Sequence, residues 1–197
     1  MENLTIDLKT TAVVVIDLQK GIAEREGLAP LSGWDVIERN NELLASLKNT
    51  DALIALVRVK NQGTEGFFPV TDNQITSKAP FPVEMTEFST AIANDADAEN
   101  VITIDKHNWG AFYGTDLDVQ LRRRGIKTII LTGIATSIGV DTTAREAAQA
   151  GYDLILVSDA MTDVNAIAHQ STLDYIFPRL GKVRSLAEVQ AVIDQAK

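Results

Sequence analysis

The sequence predicts an α/β fold in which a six-stranded parallel sheet is covered on both faces by helices. Three observations lead there. Short runs of β-branched and aliphatic residues recur along the 197-residue chain, each followed by a segment with helical apolar spacing. The runs are apolar almost without interruption, as strands buried on both faces are. Their alternation with helices supplies a crossover between consecutive strands, which a parallel sheet requires.

The strands are expected at AVVVID (Ala12 to Asp17), ALIALVRV (Ala52 to Val59), VITID (Val101 to Asp105), TIILTG (Thr128 to Gly133), DLILVSD (Asp153 to Asp159) and, more weakly, GKVRS (Gly181 to Ser185). Amphipathic helices are expected over Val36 to Lys48, Leu117 to Arg124, Val140 to Ala150, Asn165 to Phe177 and Leu186 to Ala196. Asp163 before NAIAHQ and Ser185 before LAEVQAVI carry side chains suited to cap the helix that follows. Gly151-Tyr152 reads as a helix stop feeding the fifth strand. The stretch from Asn61 to Phe88 is the least regular and holds three of the five prolines. It is expected to run over the surface as a lid, an oligomer contact or an insertion.

One domain over residues 1–197 is expected at this length. The net charge of −9 disfavours a nucleic acid or an anionic membrane as partner, since either calls for a basic face. The basic cluster at Arg122 to Gly125 falls at a helix end, where cations complement the carbonyl dipole. With no cysteine, the chain lacks disulfides, thiolate metal sites and thiol nucleophiles. Its first residues are polar and acidic, and the apolar run after them has only a strand's length, so a cytoplasmic location is expected.

In an open parallel sheet, ligands gather outside the carboxyl ends of the strands, where loops and helix N-termini converge. Three distant pieces fall there: Asp17 after the first strand, Asp105-Lys106 after the third, and GIATSIGVDTTAR after the fourth. Asp17 follows VVVI, where burial can raise a carboxyl pKa toward neutrality, although a strand-end aspartate can equally cap a turn. Lys106 can pair with it or stand solvated in a loop. The glycine-containing turn can present backbone amides to an oxyanion or carboxylate, or simply pack closely on the sheet.

VVVIDLQKG, the segment from DKHNWG through LTGIATSIGVDTTAREAAQAGYDLILVSDAMTD, and the later AHQSTLDYIFPRLGKV together resemble the isochorismatase-like hydrolase superfamily over most of the chain. The resemblance implies a three-layer, Rossmann-like fold with a six-stranded parallel sheet, assembled as homo-dimers or larger oligomers. It implies that Asp17 is the general acid/base and Lys106 its paired lysine. It places Gly139 where the amidase branch carries its nucleophilic cysteine. It also matches Ile134-Ala135 to a dipeptide that tends to be cis, with the Ala135 and Gly139 amides forming an oxyanion hole.

Glycine at that position also occurs in the isochorismatase branch, where a vinyl ether is protonated and hydrated without a covalent intermediate. Ala135 and the segment VRVKNQGTEG depart from that branch, while SIGVDTTAREA and IFPRLGKV look more like the cysteine-hydrolase branch with its cysteine replaced. The expectation is therefore a cofactor-free hydrolase of a small carboxylate-bearing or enol-ether substrate, with an inactive member kept for binding or assembly as the alternative. No metal is expected, because the histidines that family relatives use for one are missing from their place and His107 and His169 stand far apart in the chain. Thr136 and Ser137 are hydroxyls with no histidine in their own motif to activate them. Trp109, with Phe67, Phe68, Phe112 and Tyr113, can line an apolar pocket or belong to the core or a subunit contact.

Overall fold

A computed structural model describes residues 4–60, 69–72 and 82–197. Six strands run β1 (Thr11–Ile16), β2 (Leu53–Val59), β3 (Val101–Lys106), β4 (Thr128–Ile134), β5 (Asp153–Thr162) and β6 (Lys182–Arg184). The helices are α1 (Lys20–Ala23), α2 (Gly33–Leu47), α3 (Leu117–Arg123), α4 (Asp141–Gln149), α5 (Ala166–Ser171) and α6 (Leu186–Ala196). All strand pairs are parallel, in the order β3-β2-β1-β4-β5-β6.

Period-two alternation along the strands divides the core into two layers. Val13 and Val15 of β1 and Ile54 and Leu56 of β2 face α2 and α6, packing with Leu43, Leu44 and Val189. Ala12, Val14 and Ile16, with Ala55 and Val57, face α3 and α4, packing with Leu121, Ala144 and Phe177. Every residue of β1 is buried, as a central strand's must be, whereas β3 at the edge alternates between buried and open positions. Burying one such aliphatic side chain stabilises by roughly 1.5–3 kcal/mol, so the central strands carry much of the fold's stability.

The strands and helices fall where the apolar periodicity puts them, with instructive differences at the ends. Helix α2 begins earlier than expected because Ser32 and Asp35 form a capping box, each side chain taking the other's backbone amide. Asp163 does not cap α5; Asn165 does, accepting from the amides of Ile167 and Ala168. Asp163 is instead wholly buried, its Oδ1 taken by the amide of Val164 (2.7 Å) and its Oδ2 by that of Ser137 (2.6 Å). The helix expected over Asn165 to Phe177 tightens and widens in turn: α5 ends at Ser171, a π turn spans Thr172–Ile176, and a 3₁₀ turn ends at Arg179 with Pro178 inside it. The helix expected from Val140 likewise opens as a π turn over Thr136–Val140 before α4.

Arg122 is exposed but tied to its own surroundings: it stacks over the Tyr152 ring at 4.4 Å, pairs with Asp118 at 3.3 Å and donates to the Ala150 carbonyl. Close approach demands glycine at several positions, Gly133 and Gly33 among them. A Cβ on Gly133 (φ 117°) would lie 2.1 Å from the Ile16 carbonyl oxygen, and one on Gly33 would lie 1.6 Å from that of Ala23. Of the irregular stretch from Asn61 to Phe88, residues 61–68 and 73–81 lie outside the described residues, and 83–86 form a 3₁₀ turn.

Helix α6 has a second capping box, Ser185 accepting from the Glu188 amide at 3.3 Å while Glu188 accepts from the Ser185 amide at 2.8 Å. Ser185→Ala is expected to lower stability by about 1 kcal/mol. Urea unfolding followed by circular dichroism checks this, and an unchanged midpoint would contradict the capping account.

Candidate active site

In this strand order β1 is the switch point: the chain moves outward through β2 and β3, then returns to pair β4 on the other side of β1. The crevice between the two directions opens at the ends of β1 and β4. Asp17 is the first residue beyond β1, in the left-handed region (φ 55°), with its amide donating to the Val57 carbonyl at 2.9 Å. Aspartate tolerates that conformation better than the branched residues before it would.

Lys106 ends β3, two strands away, and its side chain is 1% exposed. Strand alternation separates it from its neighbour Asp105. Asp105 points to the outer side, bound by Arg58 (2.7 Å) and Lys60 (3.1 Å). Lys106 points inward and places Nζ 2.9 Å from Asp17 Oδ2, while donating to the Trp109 carbonyl at 2.5 Å.

The two aspartates show how environment sets acidity. Burial would raise the Asp105 carboxyl, but its bonds to Arg58 and Lys60 outweigh that and hold it below the usual range. At Asp17 burial wins: the carboxyl is pushed up to about 6, against the pull of the Lys106 charge and hydrogen bond. Its Oδ1 is buried and has no hydrogen-bond partner among the described residues. With Oδ2 occupied by Lys106, Oδ1 is the oxygen left to carry a proton.

The third piece arrives from β4. Ile134-Ala135 is a cis peptide, and the π turn after it is held by the amides of Ile138 and Val140, each donating to the Ala135 carbonyl at 3.1 Å. A Cβ built on Gly139 would stand 3.3 Å from Asp17 Oδ2 and 3.4 Å from Lys106 Nζ. A side chain at 139 would therefore crowd the ion pair, and glycine avoids that. Thr143 ties this turn to the loop after β3, donating to the Gly139 carbonyl at 2.7 Å and accepting from the Ala111 amide at 3.2 Å.

Asp17, Lys106, Trp109, Ala135 and Gly139 line one cavity of about 260 Å³. Its walls are apolar, from Ile22, Leu28, Val59, Ile134, Ile138 and Val164, and Arg25 and Asn108 supply further polar groups. Another hollow, bounded by Thr128, Asp153 and Gly181, lies at the opposite ends of the strands.

Several readings of individual residues change. Phe112 packs on Tyr152 with ring centroids 5.8 Å apart, and Tyr113 is exposed, so neither lines the cavity. Phe67 and Phe68 lie outside the described residues. Thr136 does meet a histidine, which comes from α5: its Oγ1 is 2.8 Å from His169 Nδ1. That hydroxyl also donates to the Thr162 carbonyl at 3.1 Å, is fully buried and does not face the cavity. Burial depresses the His169 pKa against the opposing pull of Asp163, which keeps the ring neutral. The pair fastens α5 to the turn rather than arming a nucleophile. Among the described residues no group of three or more His, Asp or Glu side chains could hold a metal ion.

Two supports escaped the sequence reading. Gln19 is fully buried and stitches three segments, donating to the Val59 and Met85 carbonyls (3.1 Å each) and accepting from the Val59 amide at 2.7 Å. Glu146 accepts from the Phe112 amide at 3.1 Å and packs against Gly110, where a Cβ would collide with it. The only signal for Gln19 was its place in VVVIDLQKG; Glu146 had none, because its partner lies in a loop distant in sequence.

This geometry, an open parallel sheet with a small cavity at its switch point, is that of the α/β class that binds small molecules at strand ends. The chain belongs to the isochorismatase family: the isochorismatase domain model matches residues 11–188. It is 42% identical to the isochorismatase family protein YwoC of Bacillus subtilis over 95% of this chain and 96% of that one. It is 26% identical to the ureidoacrylate amidohydrolase RutB of Methylorubrum extorquens, over the whole of this chain and 88% of that protein. Among solved structures, an isochorismatase family protein from Burkholderia thailandensis superposes with a TM-score of 0.86 at 39% identity, covering 98% of this chain and 100% of that one.

Removing one member of a buried ion pair leaves the other uncompensated. Lys106→Met is expected to cost about 3 kcal/mol at pH 8 and less at pH 5. The sign follows from Asp17: its folded pKa lies above the unfolded value of 3.8, so the folded state holds the proton more tightly and loses stability as pH rises through about 6. Loss of the lysine enlarges that effect. Urea melts at the two pH values check it, and an equal penalty at both would contradict the assignment.

Proposed function

We propose that this protein is a cofactor-free hydrolase of a small carboxylate-bearing substrate of the enol-ether type, with Asp17 as general acid. The observation that carries the reading is the Asp17 carboxyl: buried at the cavity floor, pushed up to about 6, with Oδ1 lacking a partner among the described residues. Such a group can hold a proton near neutral pH and release it to a substrate carbon. Gly139 puts no side chain against the ion pair, so the cavity reaches Asp17.

In the proposed reaction the Asp17 proton passes to the terminal enol carbon, and the C=C electrons leave an oxocarbenium ion. Water adds to the electron-poor carbon and returns a proton to Asp17. The resulting hemiketal expels the alcohol and leaves a ketone, so one water is consumed and the acid is regenerated. Lys106 stabilises the Asp17 carboxylate while the cation exists, and the amides of Ala135 and Gly139 are assigned to the leaving oxygen, which gains negative charge as the hemiketal collapses. Trp109 forms part of the cavity wall beside the reacting atoms.

Following pyruvate release from isochorismate tests this. The native protein is expected to turn it over, with kcat/KM falling as pH rises above about 6, because the acid must be protonated. Asp17→Asn is expected to lower kcat by at least about 100-fold. Equal release by that variant, or a rate that rises through the same pH, would overturn general-acid catalysis.

A second reading is favoured by the position of the missing Cβ: a thiol grown from residue 139 would meet Asp17 and Lys106 at contact distance. The similarity to an amidohydrolase agrees with an amide-cleaving ancestry in which the native chain has retired from catalysis. On that reading Gly139→Cys gains hydrolysis of nicotinamide while the native protein binds metabolites without turning them over. Enzymatic turnover of any substrate by the native protein would reject it.

A further inference from the structure

The charges around the cavity do not balance. On its floor Lys106 is buried and already donates to Asp17, whose ionised form cancels its charge, and to the Trp109 carbonyl; Asn108 is neutral, and the walls are apolar. What remains is Arg25 at the mouth, exposed to solvent and forming no ion pair or hydrogen bond with any described residue. In a chain of net charge −9, a guanidinium on a cavity rim with no acidic partner among the described residues is a feature to explain.

We infer that Arg25 is the specificity residue that grips a carboxylate at the outer end of the substrate, while the reacting end lies on Asp17; the inference rests on the hydrolase reading for what happens at that inner end. A guanidinium offers two parallel N–H groups matched to the two oxygens of a carboxylate. The walls between the two ends are mostly apolar, with Asn108 as a neutral polar group among them.

The backbone that carries Arg25 is fixed on either side, so the grip needs little ordering on binding. Before it, the Ala23 amide donates to the Gln19 carbonyl at 2.7 Å, and Glu24 is held by Ser89 Oγ at 2.9 Å. After it, Ala29 and Asp163 exchange backbone hydrogen bonds of 2.8 and 3.0 Å. Thr162 Oγ1 then donates to the Leu31 carbonyl at 2.8 Å and accepts from the Leu31 amide at 3.2 Å. Lys106 is poorly placed for the same task, because it is buried and already donates to Asp17 and to the Trp109 carbonyl. A phosphate monoester, with up to two charges, would leave one of them unmatched at Arg25, the one cation of the described lining not already paired.

Titration calorimetry with sodium benzoate and benzamide separates this inference from the reaction itself, since the two probes share an apolar body and differ in charge. The native protein is expected to bind benzoate on the order of tenfold more tightly than benzamide, the range of a charge-assisted hydrogen bond at a partly solvated site. Arg25→Gln is expected to abolish the preference by weakening benzoate alone, and Arg25→Lys to retain part of it. No measurable benzoate binding, or a preference unchanged in Arg25→Gln, overturns the inference. With isochorismate, Arg25→Gln is expected to raise KM and leave kcat within about threefold, because the interaction is made equally in ground and transition states. A protein that prefers benzoate through Arg25 but releases no pyruvate keeps Arg25 as the anion grip and rejects the hydrolase reading.

Discussion

The contact between Asp17 and Lys106 governs the rest of the site. Two charges have been taken out of water at the end of a parallel sheet, where their attraction does not fully repay the desolvation. The imbalance appears as a carboxyl that keeps its proton to about pH 6. A better solvated pair would give an ordinary ionised aspartate, as at Asp105 one residue before Lys106. The site thus depends on keeping an electrostatically costly arrangement in place, and much of the surrounding structure holds it.

That holding is done by side chains that join loops rather than by the loops' own regularity. Gln19 binds the end of β2 to the segment near Met85, Thr143 joins the loop after β3 to the turn at Gly139, and Glu146 braces the backbone at Phe112. Asp163, His169 and Thr136 fasten the far side of the same turn. The acid, its lysine and the glycine arrive from β1, β3 and β4, so their spacing follows from strand register and from these ties.

The fold was legible because its signal is local and redundant. Each strand is an apolar run of strand length, and each helix repeats an apolar face, so missing a few end residues changed nothing. The floor of the site was legible for a related reason: Asp17 and Lys106 are polar residues at the ends of apolar strands, and strand ends in parallel sheets converge. What the sequence hid is held by contacts through space. Asp163 looked like a cap because it precedes a helix, yet its carboxylate serves the Ser137 amide in another segment. His169 looked remote from Thr136 until α5 folded against the turn. Arg25 carried no pattern of its own, and only the cavity around it gives its charge a meaning.

The strand order has a consequence for how the chain reaches this state. β1 emerges first but ends in the middle of the sheet, between β2 and β4. During synthesis one edge of β1, with side chains that end wholly buried, has no partner until β4 has been made. For that interval the nascent chain presents an unpaired, strongly apolar strand edge, the kind of template on which other chains add. Asp17 sits at the tip of that edge, so the features that give it a dry, central position also make its strand the segment most exposed to misassembly before the second half of the sheet arrives.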